Sequence, residues 1–181
     1  MEQEFTITAF SENSIGLLNR VTIIFTRRHI NIESLTVSQS SIKGVHKFTI
    51  VVITTLEKIE KVTKQIEKLV EVLKAFYHTN DELIRQEIAL YKVPTEALLK
   101  SNEVENIVRK NGARILEVTP DFTVIEKTGD KTETQELFEL LERVSGTLQF
   151  TRSGIVAITK NKHELLTQYL KEMDSIKYSN N

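Results

Sequence analysis

The stretch that decides the fold is residues 11–38, SENSIGLLNRVTIIFTRRHINIESLTVS. It begins as a polar loop that contains Asn13 and Gly16. Apolar residues then recur at the spacing of an amphipathic helix; they are Leu17, Leu18, Val21, Ile24 and Phe25. A basic cluster at 27–29 suits a helix C-terminus, and a β-branched segment at 30–39 follows it. The stretch therefore predicts a loop, a helix and a strand in direct succession.

The flanking residues extend this succession to a complete supersecondary unit. Residues 5–10 have the composition of a strand that precedes the loop, and residues 45–54 that of a strand after a turn. Residues 72–77 supply a fourth strand. Between the strands at 45–54 and 72–77, apolar residues repeat at helical spacing: Leu56, Ile59, Val62, Ile66, Leu69 and Val70. The order βαββαβ is that of a ferredoxin-like unit.

The second half of the chain repeats the pattern after a polar connection at 78–82. Strands are predicted at 84–93, 113–118, 122–126 and 147–158, and helices at 94–110, around Leu137, Leu140, Leu141 and Val144, and near 162–173. We therefore predict an α+β fold with two tandem ferredoxin-like βαββαβ domains and a C-terminal helix. The predicted segments are a domain at 1–79, a domain at 80–160, and a helix with its tail at 161–181.

Each predicted domain is small, and a βαββαβ unit places both helices on one face of its sheet. The opposite face or the sheet edge then needs cover, which a second copy of the chain can provide. We therefore expect a homodimer or a higher oligomer.

Composition excludes several classes of function. The net charge is −1, from 24 Lys and Arg against 25 Asp and Glu, without the basic excess of a general nucleic-acid binder. The absence of Cys excludes disulfides, thiolate catalysis and thiolate metal sites. No apolar run reaches the roughly 18 residues of a membrane span, and the acidic N-terminus does not resemble a signal peptide. We expect a cytoplasmic protein with no membrane or nucleic-acid partner.

No set of residues indicates catalysis or metal binding. The four histidines, His29, His46, His78 and His163, are scattered, and we interpret them as surface or partly buried residues. Phosphate-binding glycine loops are absent. Acidic and basic residues alternate at helical spacing, which is typical of a solvated helix face; they are Glu57, Glu60, Glu67, Glu71, Lys58, Lys61, Lys64, Lys68 and Lys74. We predict no catalytic residue, no metal site and no cofactor site on this chain.

An RNA-recognition domain has the same βαββαβ order, and its third strand carries aromatic residues that stack on bases. The corresponding segment here, residues 43–50, opens with a Lys-Gly pair like that motif. Its stacking positions hold Val45 and Lys47 instead of aromatic residues. RNA binding is therefore disfavoured.

The loop at 13–16 suits a free amino acid. Unpaired N–H groups at the helix start near Leu17 can meet a carboxylate, and Gly16 lets a ligand approach the backbone. The side-chain oxygens of Asn13 and Asn31 can accept from an ammonium group. An apolar ligand side chain can lie against Leu17, Leu18 or Ile32. The alternative is that Asn13 and Gly16 only shape a turn and bind nothing; the residues alone leave both open.

The same residues carry a family resemblance that spans almost the whole chain. Its landmarks are Asn13-x-x-Gly16-x-Leu18-x-Arg20-Val21, Phe25-x-x-Arg28-x-x-Asn31-Ile32-Glu33-Ser34-Leu35-x-Val37, residues 86–93 (QEIALYKV), Ile115-x-x-Val118-Thr119-Pro120 and Arg152-Ser153-Gly154. In this order they resemble the small regulatory subunits of acetohydroxyacid synthase, also called acetolactate synthase, which begin with an ACT domain. The chain departs from that family at Ile15, where Pro or a small residue is common, and at His29, where Gly is common.

The resemblance implies a noncatalytic chain that activates a catalytic large subunit and confers feedback inhibition by valine. It implies that valine binds between the ACT domains of two copies, at the effector positions Asn13, Gly16, Leu17, Leu18, Asn31 and Ile32. Thiamine diphosphate, magnesium and FAD then belong to the large subunit. Two alternatives stay open: a ligand-free interaction module in such a complex, and a stand-alone ACT-type amino-acid sensor with another partner.

Overall fold

The computed structural model describes residues 1–100 and 102–179, with side chains up to Met173 in the last helix. Ser101, inside the helix predicted at 94–110, and residues 180–181, in the predicted tail, lie outside the described residues. The chain forms two compact units. Unit 1 comprises Met1–Ile84 and Ala157–Asn181, and unit 2 comprises Arg85–Val156.

Unit 1 contains the predicted βαββαβ order. Its elements are β1 (Gln3–Glu12), α1 (Leu17–Thr26), β2 (Ile32–Gln39), β3 (Val45–Thr54), α2 (Leu56–Ile66) and β4 (Val72–His78). The strands form an antiparallel sheet in the order β2-β3-β1-β4, so β2 and β4 are its edges. One face of the sheet packs on both helices through a buried core that includes Phe5, Ile7, Val21, Phe25 and Ile59. Alternation along β1 explains this packing, since every second residue faces the helices.

Unit 2 is built on a second antiparallel sheet. Its elements are β5 (Leu83–Pro94), α3 (Thr95–Lys100), α4 (Glu103–Lys110), β6 (Arg114–Val118), β7 (Phe122–Gly129), α5 (Lys131–Ser145) and β8 (Gln149–Arg152). The next strand, β9 (Val156–Thr159), belongs to unit 1 from Ala157 onward. The sheet order is β6-β7-β5-β8, and β9 also pairs with β5. Helix α5 begins with a capping box in which the Asp130 carboxylate accepts from the N–H groups of Thr132 and Glu133. The predicted α+β class with two βαββαβ-like units is confirmed.

Two predicted elements of the second half are divided in the structure. The strand predicted at 147–158 is two strands, β8 and β9, separated at Gly154, whose φ of +81° is the left-handed conformation that glycine adopts readily. The helix predicted at 94–110 is likewise two helices, α3 and α4.

The last helix, α6 (Leu165–Ser179), covers the sheet face of unit 1 that the other helices leave open. Leu166 is fully buried there in a cluster with Phe10 and Val45. Just before α6, the Ala157 carbonyl oxygen accepts a hydrogen bond from Lys47 Nζ at 2.8 Å. The chain itself therefore provides cover that the sequence left to a second copy.

The division at 1–79, 80–160 and 161–181 differs from these units, because the structure groups the C-terminal segment with the first domain. Among the described residues, no helix is both long enough and apolar enough to cross a lipid bilayer.

Candidate functional site

The loop after β1 presents the open N-terminus of α1. Ser14 N–H donates to the Glu12 carbonyl oxygen at 3.1 Å, and Leu17 N–H donates to the Ser14 carbonyl oxygen at 3.2 Å. Gly16 is the N-cap of α1 with φ +80°, and in the described part of the chain no side chain caps this helix. The first N–H groups of a helix lack partners inside it and carry partial positive charge. This terminus can therefore bind an anion such as a carboxylate.

The space in front of this terminus is open. Asn13 and Gly16 are exposed, and a Cβ placed on Gly16 would meet no atom within 4 Å. The Leu18 side chain is 46% exposed, so it can contact an apolar ligand. Leu17 differs from the prediction, because its side chain is 2% exposed and belongs to the core. The Leu17 side chain therefore does not line the loop, and its N–H is already paired with the Ser14 carbonyl oxygen.

An ion pair between Arg20 and Glu71 braces the loop. Arg20 Nη2 donates to Glu71 Oε1 at 2.5 Å, and the Glu71 carbonyl oxygen accepts from Glu12 N–H at 2.9 Å. The hydrogen bond from Arg20 lowers the pKa of the Glu71 carboxyl below its ordinary value. The sequence interpretation of Glu71 as part of a solvated helix face is wrong, since α2 ends at Ile66 and Glu71 lies in the connection to β4.

Asn31 and Ile32 lie at the other end of the same sheet. Ile32 pairs with Val52 of β3, and Val52 also pairs with Phe5 near the start of β1. The loop at 13–16 instead follows Glu12, which pairs with Val45. Ile32 is therefore level with Phe5, seven residues from Glu12, which is roughly 24 Å at about 3.4 Å per residue.

The expectation that Asn13, Gly16 and Asn31 surround one space is thus wrong for a single chain. Strands β1 and β2 run parallel, because each is antiparallel to β3 between them. Helix α1 carries the chain back along the sheet, so the residues that follow it begin where β1 begins. Within one chain the structure brings Asn13, Gly16 and Leu18 together and leaves Asn31 and Ile32 apart from them.

The segment around Asn31 is polar and accessible. Asn31 is exposed, and its Nδ2 donates to Glu33 Oε1 at 3.3 Å. His29, two residues earlier, has φ +53° and is a non-glycine residue in the left-handed region. Glycine adopts this conformation more readily than a residue with a Cβ, so it is well suited to that position. Ile32 is half-buried against the core of unit 1.

Among the described residues, no three His, Cys, Asp or Glu side chains cluster closely enough to hold a metal ion. The prediction that the chain carries no cofactor stays a prediction. The arrangement of the loop suits reversible binding of a small anion or zwitterion.

Comparison with known protein families divides the chain into two matched regions. Residues 7–74 match the model of the "AHAS small subunit-like ACT domain". Residues 86–161 match the model described as "Small subunit of acetolactate synthase".

Full-length relatives match across both regions. The acetolactate synthase small subunit of Bacillus subtilis is 34% identical over 165 residues, which cover 91% of this chain and 94% of the relative. That of Mycobacterium leprae is 35% identical over 86% of this chain and 90% of the relative. The crystal structure of the Thermotoga maritima acetolactate synthase small subunit superimposes with a TM-score of 0.80 at 28% identity, covering 89% of this chain and 99% of that one.

Proposed function

Because the chain belongs to the family of acetolactate synthase small subunits, we propose that it is the regulatory subunit of a catalytic large subunit. In this role it activates the large subunit and confers feedback inhibition by valine. The observation that carries the proposal is the uncapped N-terminus of α1 at the open Gly16 loop. Thiamine diphosphate, magnesium and FAD are assigned to the large subunit, where the reaction takes place.

The chemistry of valine matches the loop at three points. Its carboxylate accepts hydrogen bonds from the first N–H groups of α1, where the helix dipole contributes about 0.3–1 kcal/mol at an exposed site. Its isopropyl group lies against the half-exposed Leu18. Its ammonium needs acceptor oxygens, which Asn13 and a second asparagine can offer. The second asparagine is Asn31, and one chain cannot deliver it to the loop.

A second copy of the chain resolves this separation. Strand β2 is an edge of the unit 1 sheet, so it can pair with another β2 around a two-fold axis. The end of β2 is level with the loop, since Gln39 and Ser11 both pair with His46. Antiparallel pairing of two β2 strands therefore brings Asn31 and Ile32 of the second copy to the loop end of the first sheet. The dimer has two identical effector sites, each completed by both chains.

Reconstitution with the large subunit tests this function. The full chain, mixed with its large subunit, is expected to raise acetolactate formation and to make it sensitive to valine, whereas the chain alone forms none.

Sedimentation of the full chain at micromolar concentration is expected to show a dimer. Calorimetry with valine, leucine and isoleucine then identifies the effector. Activation without any amino-acid binding would instead support a ligand-free interaction module, and no effect on the large subunit would support a stand-alone sensor.

A further inference from the structure

Unit 1 contains a second cavity, on the sheet face opposite α1 and α2. It has a volume of about 200 Å³ and lies between β1, β3 and β4 on one side and the segment that leads into α6 on the other. A larger cleft of about 570 Å³ adjoins it and shares part of its lining, including Phe76, His78 and Asn161. Sites for drug-sized ligands typically measure roughly 300–1,000 Å³, so an occupant of the smaller cavity has few heavy atoms.

Two side chains of opposite charge line this cavity without pairing with each other. Lys47 comes from β3, and Glu164 comes from the turn before α6. Burial lowers the pKa of Lys47, and the nearby Glu164 carboxylate acts in the opposite direction. Among the described residues these two side chains form no ion pair within 4 Å. The Lys47 ammonium has three donors, and within the described part of the chain it makes one hydrogen bond, to the Ala157 carbonyl oxygen at 2.8 Å.

A buried histidine adds a further polar group to the wall. His78 is 5% exposed, and its Nε2 has no hydrogen-bond partner among the described residues. Burial lowers the pKa of His78, so its imidazole is neutral at neutral pH and can either donate or accept. Buried polar groups in native proteins are rarely left without a partner. Between the polar groups the wall is apolar, with Phe10, Phe76 and Leu83.

We propose that this cavity binds a small aliphatic amino acid as a zwitterion. The carboxylate of the ligand lies against the Lys47 ammonium and its ammonium faces Glu164, while the aliphatic side chain packs on Phe10, Phe76 and Leu83. The site is separate from the Gly16 loop and does not depend on the effector site proposed there. It places a ligand beneath the segment that carries α6, so occupancy would favour the packed position of that helix.

Site-resolved NMR of the full chain tests the proposal with L-leucine as the probe. The titration is carried out on the Gly16→Asp variant, which blocks binding at the loop. Leucine is expected to shift the amide signals of Lys47 and the imidazole signals of His78 in a saturable way. Two matched compounds each lack one charge: 4-methylpentanoate has no ammonium, and 3-methylbutylamine has no carboxylate. Each is expected to bind about tenfold more weakly or worse, because it leaves a cavity charge unmatched.

Two lysine variants complete the test. Lys47→Met keeps the length of the side chain and removes its charge, and we expect it to weaken leucine binding by about tenfold or more. Lys43→Met removes an exposed charge outside the cavity and should bind like the parent. If Lys47→Met does not fold, the three-compound comparison still decides. Shifts confined to the Gly16 loop, absence of saturable binding, or equal affinity for the three compounds would overturn the proposal while leaving the proposed regulatory role untouched.

Discussion

Arg20 of α1 donates a 2.5 Å hydrogen bond to Glu71, fifty-one residues further along the chain. The Glu71 backbone also accepts from Glu12, the last residue of β1. One residue therefore holds both the helix that begins after the Gly16 loop and the strand that ends before it. The loop conformation thus depends on a connection distant in sequence.

Replacing Glu71 with Gln should loosen the loop without unfolding the protein. The ion pair is partly exposed, with Arg20 at 42% and Glu71 at 19%, so its loss should change the free energy of unfolding only slightly. Hydrogen exchange at residues 12–17 is expected to accelerate. The control is Glu57→Gln, which breaks the exposed 2.5 Å pair with Lys61 on α2. Equal loop exchange in the two variants would refute the role of Glu71.

Lowering the pH should likewise loosen the loop of the unsubstituted protein. The Arg20 hydrogen bond lowers the pKa of Glu71 in the folded state, so the ionised carboxylate stabilises the folded loop above the ordinary glutamate pKa of about 4.3. This contribution is lost as pH falls below that value and through the lowered pKa. The rate of amide hydrogen exchange at residues 12–17, corrected for its intrinsic pH dependence, should rise in that range for the unsubstituted protein. For Glu71→Gln the corrected rate should stay constant. The opposite pH trend would contradict the assignment.

Gly16→Asp should abolish valine inhibition and spare activation. The carboxylate repels the ligand carboxylate, and losing an allosteric coupling of typically about 1–3 kcal/mol erases inhibition. Gly44→Asp is a matched control, because Gly44 has φ +83° and, like Gly16, a Cβ there meets no atom within 4 Å. Both changes should cost about 1–2 kcal/mol of backbone strain. Valine titrations of the reconstituted enzyme measure the difference; a valine-sensitive Gly16→Asp complex would show that the site lies elsewhere.

Mixing two variants with weakened valine inhibition should restore part of that inhibition. Asn31→Ala is expected to weaken valine binding more mildly than Gly16→Asp, since it removes one polar contact. In a mixed dimer, the intact loop of the Asn31→Ala chain meets the intact Asn31 of the Gly16→Asp chain. One of the two sites is then complete. Inhibition of the mixture should exceed that of either variant alone, and no gain in a verified mixed dimer would rule out a shared site.

Leu166→Ala should destabilise unit 1 although it lies near the other end of the chain. Leu166 is fully buried against Phe10 and Val45, and removing such a side chain typically costs about 2–5 kcal/mol. Leu170→Ala on the same helix is the control, because Leu170 is 37% exposed and its loss should cost well under half as much. Urea unfolding of both variants gives the comparison. Equal midpoints would mean that α6 contributes little to the fold.

Local pattern predicted the elements of unit 1 well, because alternation and helical spacing report which face of each segment is buried. It predicted an amphipathic last helix but not its partner, since the apolar face of α6 does not specify that it packs on Phe10 and Val45. The division at Gly154 has a sequence signal, because Ser153-Gly154 is a turn-forming pair inside the predicted strand. The β-rich composition on both sides of the pair led to the prediction of one continuous strand.

The candidate site was only half predictable for the same reason. Asn13 and Gly16 are neighbours in sequence and stay so in space. Asn31 also follows closely in sequence, but the direction of β2 relative to β1 moves it to the far end of the sheet. Glu71 was assigned to a solvated helix face because the charge spacing continues past Ile66, where the helix itself ends. Strand direction and helix length are tertiary properties that residue spacing does not record.

The position of Leu166 in the chain also determines when unit 1 can finish folding during translation. Leu166 comes eighty-two positions after Ile84, the end of the first stretch of unit 1. A ribosome that adds roughly 5–20 residues per second needs roughly 4–16 s to cover that distance. During that interval Phe10 and Val45 have emerged but their cover has not. The nascent chain therefore carries an apolar sheet face that a chaperone or a sister chain can reach, and the first domain is complete only after α6 has been made.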